Sequence, residues 1–495
     1  LDFDVVVVGG GGAGLMAALS AARHGRSVLV AEKGERVGGT TGMSVGTICA
    51  TSTRLQREAG IDDDPDSHFE DMAKFVGPLA NRDNLALRRI LVDNVPETIE
   101  ILSDLGVTFM GPLPEPPHTK PRLHAIIPHS RGYIHHLETA CRRLGVAIWT
   151  QSPAERLIVE DGRVTGLALG GARAGAKVRA RRGVVIASGD FSSADAAFKA
   201  RFMSGPLLEI GGINPNSTGD GQKIGEAAGA QVINGDLAWG PEIRFLAPPR
   251  PSPIARLPVS RWFARALLFA MKHVPQKLLR PFMLGFVTTF LAPSHKLFQA
   301  GAILINARGE RFCDETVRPQ DHIGRQPEQT ATIVFDDQVA KAFTAWPNFI
   351  STAPGVGYAY LPDYARSRPD LYTRADTLAD LAGKLGVPAD ALARAVHEHN
   401  AGLAGAAGER RPIERGPFHA LGPAKAWIVF SEGGLAIDTG FRVTDAARKP
   451  IPGLYAAGSA GQGGVLLEGH GHHLAWAFTS GRLAGRNAAL AAPPT

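Results

Sequence analysis

Cysteine is scarce: three residues in 495, Cys49, Cys141 and Cys313, far apart and with no CxxC. That argues for free thiols rather than a disulfide framework or a cysteine-built zinc cluster. No stretch approaches the ~18 uninterrupted apolar residues that a membrane span needs. No basic, apolar and small-residue leader precedes the opening strand FDVVVVGG, so a cytoplasmic location is expected. The chain also lacks a broadly basic surface. Of 53 bases and 47 acids, nine bases and one acid (Glu242) fall between Gly240 and Ala300, which leaves 44 against 46 elsewhere. The basic balance therefore belongs to one segment and excludes a nucleic-acid-binding body. What is present is a 44% hydrophobic, 20% charged composition of globular type, long enough for two domains.

The N-terminal stretch DFDVVVVGGGGAGLMAALSAARHGRSVLVAEKG reads as strand, tight loop, helix, strand. Val5 to Val8 form the β-branched run of a strand buried on both faces. Gly9, Gly11 and Gly14 make GxGxxG: a glycine for the turn, one for close approach of a pyrophosphate, one for helix–strand packing. Glu32 ends the second strand, placed to accept ribose hydroxyls. Gly38 and Gly39, followed by Thr40, Thr41 and Ser44, supply a second backbone-rich loop. Such a loop suits a long extended cofactor and points to FAD rather than NAD.

The motifs downstream resemble the flavoprotein superfamily of fumarate reductase, succinate dehydrogenase and 3-ketosteroid dehydrogenase, nearest to the ketosteroid dehydrogenase-like branch. LETACRRLGVAIWTQSPAERLIVEDGRVTGLAL is similar to the family's return to the adenine side, with Ala154 in it. RGVVIASGDF resembles the strand ending beside the diphosphate at Gly189, and NSTGDGQKIGEAAGA carries a T-G-D-G turn containing Thr218 and Asp220. AILINARGERFCDE and GPFHAL resemble the entry and exit of an inserted cap, and PIPGLYAAGSAGQGG the flavin-side ending. The resemblance implies an α/β fold: a Rossmann-like FAD-binding domain (1–300, with a basic apolar insertion at about 245–295, and 428–495) and an inserted α+β cap, or catalytic, domain (301–427). It also implies cofactor contacts from Lys33, Gly458, Ser459, Gly463 and Leu474. FAD is expected to be non-covalent, because TTGMS lacks the flavin-linking histidine of succinate dehydrogenases. No second dinucleotide fingerprint is present, so an external electron carrier, a quinone among the options, is expected.

EGHGHHLAW (468–476) leads into a helix of small and apolar residues. A helix N-terminus presents free N–H groups and a positive dipole end, and in this family that end faces the flavin pyrimidine edge. His470, His472 and His473 diverge on a glycine loop, which makes metal the poorer reading and no metal is expected; a structural role and substrate or flavin contact both stay open. The resemblance places Glu468 where fumarate reductases carry a carboxylate-clamping arginine, and Leu467 where ketosteroid dehydrogenases carry a tyrosine. The resemblance also places Arg318 within one position of the family's proton-transfer residue in the cap, with His322 shortly after; Tyr358 and Tyr360 from a tyrosine-rich stretch and His470 from the loop are further candidates. Segment 250–292 interleaves bases with Trp262, Phe263, Leu267 and Phe269. It reads as an interfacial helix on anionic lipid or as a packed hairpin, with FMLGFVTTFLA dipping in or walling a pocket. Either suits an apolar substrate such as a sterol, lipid or quinone.

Overall fold

The computed structural model describes residues 1–249, 256–275, 288, 292–353, 357–403 and 410–493. Strand β1 (Asp2–Val8), helix α1 (Gly12–Arg23) and strand β2 (Val28–Ala31) form as the glycine spacing requires. β1 lies parallel to β2, with Val5 opposite Val28, and parallel to β3 (Lys177–Ile186), with Val5 opposite Gly183. β4 (Pro450–Ala456) continues the parallel sheet beyond β3, and Ala147–Trp149 continues it beyond β2. The hairpin Ala154–Glu160 and Arg163–Leu169 joins β3 antiparallel. Val5, Val6, Val7, Leu29, Val184 and Leu454 are fully shielded, with α1 and the helix His472–Leu490 packed against the sheet.

The C-terminal helix, His472–Leu490, packs against α1 through its small residues. A Cβ on Gly481 would stand 2.3 Å from the carbonyl oxygen of Ala13, and one on Gly485 2.1 Å from that of Ala17. The two helices therefore touch backbone to backbone, which fixes where the first residue of the C-terminal helix emerges.

The second layer is a five-stranded antiparallel sheet of Glu242–Phe245, Phe418–Trp427, Ala331–Phe335, Ile303–Ile305 and Tyr372–Ala375. One core, around Ile243, Phe245, Phe335 and Leu421, and another, around Leu381, Leu392 and Val396, cover it. The boundary expected at residue 300 thus moves forward: Arg244 pairs with Lys425 across this sheet, so the inserted layer takes up the chain from Glu242. The basic helix, Arg261–His273, lies against the strands Thr108–Leu113 and Leu123–Ile127. The expected pocket wall FMLGFVTTFLA lies, except for Thr288 and Ala292, outside the described residues. Among the described residues no helix is long and apolar enough to cross a membrane.

Candidate active site

A cavity of about 570 Å³ runs between the two layers, from Glu32 to the loop before the C-terminal helix. Its floor is the glycine edge. Gly9 and Gly11 line it, Gly9 at φ +100 with no room for a Cβ beside the Ala187 carbonyl, Gly11 with open space in front of it. Gly14 lies beneath, where a Cβ would stand 1.9 Å from the Gly9 oxygen. Glu32 lines the cavity and accepts the Gly10 and Gly34 N–H groups at 2.7 and 2.6 Å. Lys33 donates to Thr218 at 2.5 Å and to Asp220 at 2.7 Å, which ties the T-G-D-G turn to the end of β2.

The second glycine loop closes over α1. The Gly38 N–H donates to the Gly10 carbonyl, and the Thr41 hydroxyl accepts the Gly12 N–H. Gly39, Thr40, Thr41 and Ser44 line the cavity, as do Ala154, Gly189 and Asp220 and, at the far end, Gly458, Ser459 and Leu474. Gly463 does not. Its φ of +64 and its contact with Leu87 and Ile437 make it a packing glycine, so its expected cofactor role is corrected. Gly38 and Thr218 act one step behind the wall, through Gly10 and Lys33. These residues fit FAD: Gly11 leaves space over the N-terminus of α1 where a diphosphate binds, and a carboxylate stands at the end of β2.

The cap candidates fare differently. None of Arg318, His322, Tyr358 or Tyr360 lines the cavity. Arg318 sits in a left-handed turn, φ +43, exposed and clamped on Asp321 at 2.7 Å, and that ion pair raises its pKa further. His322 is exposed beside it. Tyr358 stacks outward against Trp346 and Phe349, and Tyr360 begins the helix Leu361–Ser367. A proton-transfer role for these four is therefore corrected: none lines the cavity, and Tyr358 meets its wall only through Phe349.

His470 does line it. Its Nδ1 is held by the Glu115 carboxylate, which also accepts its backbone N–H at 3.0 Å, and this hydrogen bond pushes the His470 pKa up. Beside it stand Trp239, Glu242 and Arg244, and His473, whose Nε2 lies 3.2 Å from the buried Glu432 carboxylate. Arg244 grips Glu242 at 2.9 Å. Sequence reasoning counted Glu242 and Arg244 only as charges. Their i, i+2 spacing in a strand, which puts both on one face, was the available signal. Glu115 and Glu432 carried no local signal. His472 turns inward, where burial holds its pKa down to about 3, and it meets His68, His118 and Cys49.

A nucleotide cradle at the edge of a parallel sheet, covered by an inserted layer and closed at its far end by a held imidazole from the loop before the C-terminal helix, defines a flavin-dependent oxidoreductase. The family model described as FAD binding domain matches residues 4–246 and 271–467, and the chain belongs to that family, with FAD as its cofactor. It is 28% identical to the NADH:fumarate oxidoreductase of Klebsiella pneumoniae (strain 342) over 99% of this chain; it spans 48% of that protein's length. It is 24% identical to the 3-oxosteroid 1-dehydrogenase of Mycolicibacterium smegmatis (strain ATCC 700084 / mc(2)155), over 99% of this chain and 98% of that one. Among solved structures, the open conformation of a flavocytochrome c3 fumarate reductase shares the fold at a TM-score of 0.71 and 24% identity, covering 99% of this chain and 78% of that one.

Proposed function

We propose that the protein desaturates or reduces a C–C bond next to a carbonyl in an apolar substrate, such as a ketosteroid. One observation carries this reading: the wall opposite the glycine edge is apolar. Met110, Ile126, Leu267, Met271, Phe349 and Phe430 line it, and the one arginine on the cavity among the described residues, Arg244, is matched by Glu242. A dicarboxylate needs converging, uncompensated cations, whereas an enone ring needs apolar surface with one polar anchor. The dehydrogenase relative acting on an oxosteroid supports the same substrate class.

FAD supplies hydride transfer to or from one carbon of the substrate. The chain's own task is the proton on the neighbouring carbon or oxygen. His470 holds that proton at Nε2, while Nδ1–H is donated to Glu115, which fixes the ring and raises its basicity. Trp239, 6.1 Å away ring to ring, limits how far the imidazole can swing. The basic helix contributes Leu267 and Met271 to the wall and leaves Trp262 87% and Phe269 63% exposed. These exposed rings among bases support contact with an anionic lipid surface from which an apolar substrate or a quinone arrives.

The test is anaerobic: reduce the flavoprotein with dithionite, add candidate oxidants and follow flavin absorbance. Rapid re-oxidation by an enone steroid, with none by fumarate or acrylate, is the expected result. Re-oxidation by the unsaturated acids alone would overturn the reading and make Arg244 a carboxylate clamp. His470→Gln is expected to keep its flavin and slow turnover at least about a hundredfold, within the range of general acid–base contributions, about 10²–10⁴.

A further inference from the structure

Four segments far apart in the chain bring ligating atoms to one point beneath the His470 loop. Cys49 ends the strand Thr47–Cys49, and His68 lies on the buried face of the helix Pro65–Val76, with Met72 and Val76. His118 follows a turn from Glu115, and His472 opens the C-terminal helix. Cys49 Sγ stands 3.5 Å from His68 Nε2 and 3.3 Å from His118 Nε2. The Nε2 atoms of His68 and His472 are 3.4 Å apart, and all four ligand atoms lie within 4.8 Å of one another. All four residues are buried.

We propose that Cys49, His68, His118 and His472 form a closed, four-ligand site for a divalent transition metal, zinc above all. A tetrahedron with metal–nitrogen bonds of about 2.0–2.1 Å and a metal–sulfur bond of about 2.3 Å has edges of about 3.4 Å between nitrogens and about 3.6 Å between nitrogen and sulfur. Three of the six separations, at 3.3–3.5 Å, stand close to those edges. A set of three imidazoles and a thiolate filling all four positions is structural rather than catalytic.

The surroundings support the ion. His472 donates Nδ1–H to the Glu468 carbonyl at 2.5 Å, so its Nε2 lone pair faces the cluster, as a metal ligand's does. Behind the cluster Arg122 is gripped by Asp63 at 2.7 and 2.8 Å and by Asp71. A divalent ion with the Cys49 thiolate carries one positive charge, and Arg122 with its two carboxylates carries one negative charge, so the buried assembly is balanced. Lys74, on the rim, pairs with Asp71. Glu115, whose carboxylate is taken by His470, is the remaining acid facing the cluster. Phe75 packs on His118 and His472 at 4.7 and 5.5 Å and keeps water out.

Loading has a defined proton balance. Cys49 releases its thiol proton as the metal–sulfur bond forms. His118 Nδ1 lies 3.1 Å from Arg122 Nη1 and 3.9 Å from Asp71 Oδ2, so binding through Nε2, which moves the ring proton to Nδ1, requires the Arg122 N–H to give way to Asp71 as the acceptor there. The ion would pin the first residue of the C-terminal helix, one position from the cavity-lining Gly471. Its effect is on stability and flavin retention, apart from the choice of substrate.

The experiment uses the whole flavoprotein, grown with zinc and washed with a weak chelator. Elemental analysis is expected to find about one zinc per chain. Cobalt(II) exchanged into the wild-type protein should give the visible bands of a tetrahedral ion and a near-ultraviolet thiolate charge-transfer band. Cys49→Ser should lose that band and retain less than about a tenth of the metal, while Cys313→Ser should keep both. If the serine variant does not fold, the wild-type cobalt spectrum decides alone. Wild-type protein that takes up neither zinc nor tetrahedral cobalt would overturn the proposal, as would a folded Cys49→Ser protein with full metal content.

Discussion

Gly11→Ala separates cofactor binding from folding. Gly11 has φ −78 and ψ −173, which alanine adopts without strain, and a methyl there meets nothing within 4 Å. Two small effects on stability oppose each other. Gly11 is the N-cap of α1, where alanine is poorer by about 0.5–1 kcal/mol. Reduced freedom of the unfolded chain returns about 0.4–1 kcal/mol. The cofactor-free protein should therefore stay within about 0.5 kcal/mol of wild type. The methyl nevertheless enters the cavity where the α1 N–H groups must approach a diphosphate. Losing one hydrogen bond to a charged group costs about 1.5–3 kcal/mol, a weakening of FAD binding between about tenfold and a hundredfold. Gly14→Ala is the contrast. Its Cβ would stand 1.9 Å from the Gly9 carbonyl oxygen, backbone against backbone, so no rotamer relieves it. A cost of at least about 1–3 kcal/mol follows, and both stability and flavin should be lost. Apoprotein prepared by acid release of flavin, melted alone and then titrated with FAD by fluorescence quenching, gives both quantities. Gly11→Ala protein that binds FAD as tightly as wild type would refute the phosphate cradle.

Arg318→Ala should leave kcat within about twofold of wild type, because an exposed ion pair such as Arg318–Asp321 contributes little; a hundredfold fall would restore Arg318 as the acid. Met271→Glu should raise KM for an enone steroid at least about tenfold with flavin content unchanged, since it buries a carboxylate in the apolar wall; an unchanged KM would remove the basic helix from the substrate site. Lys199 tests burial away from the site. Its ammonium donates to the Ile210 carbonyl at 2.7 Å, and burial lowers its pKa from 10.5 to about 8. Between those values the unfolded chain binds a proton that the folded chain does not, so stability rises with pH across that window. Relative to Lys199→Met, wild type should gain stability in urea melts from pH 8 to pH 10, and a flat difference would contradict the shift.

What the sequence disclosed and what it withheld divide along one physical line. The cradle is built from backbone, and its parts are neighbours in the chain: Gly9, Gly11 and Gly14 work at fixed offsets, and Glu32 follows because β2 returns beside β1. A one-dimensional pattern can carry all of that. Side-chain constellations depend on where distant segments cross. Arg318, placed by likeness to a family position, is turned outward by its own left-handed turn. The Cys49 cluster joins residues 19, 69 and 404 positions apart, a distance no spacing rule spans. The crossing itself explains why both constellations assemble. Segment 115–118 meets segment 470–472 twice: Glu115 with His470 at the cavity, and His118 with His472 in the core. With Gly471 between them at φ +86, where a side chain would strike the Cys49 amide at 2.5 Å, the two histidines must point to opposite sides of one wall. The imidazole proposed to handle the proton is therefore only as well placed as the buried cluster behind it.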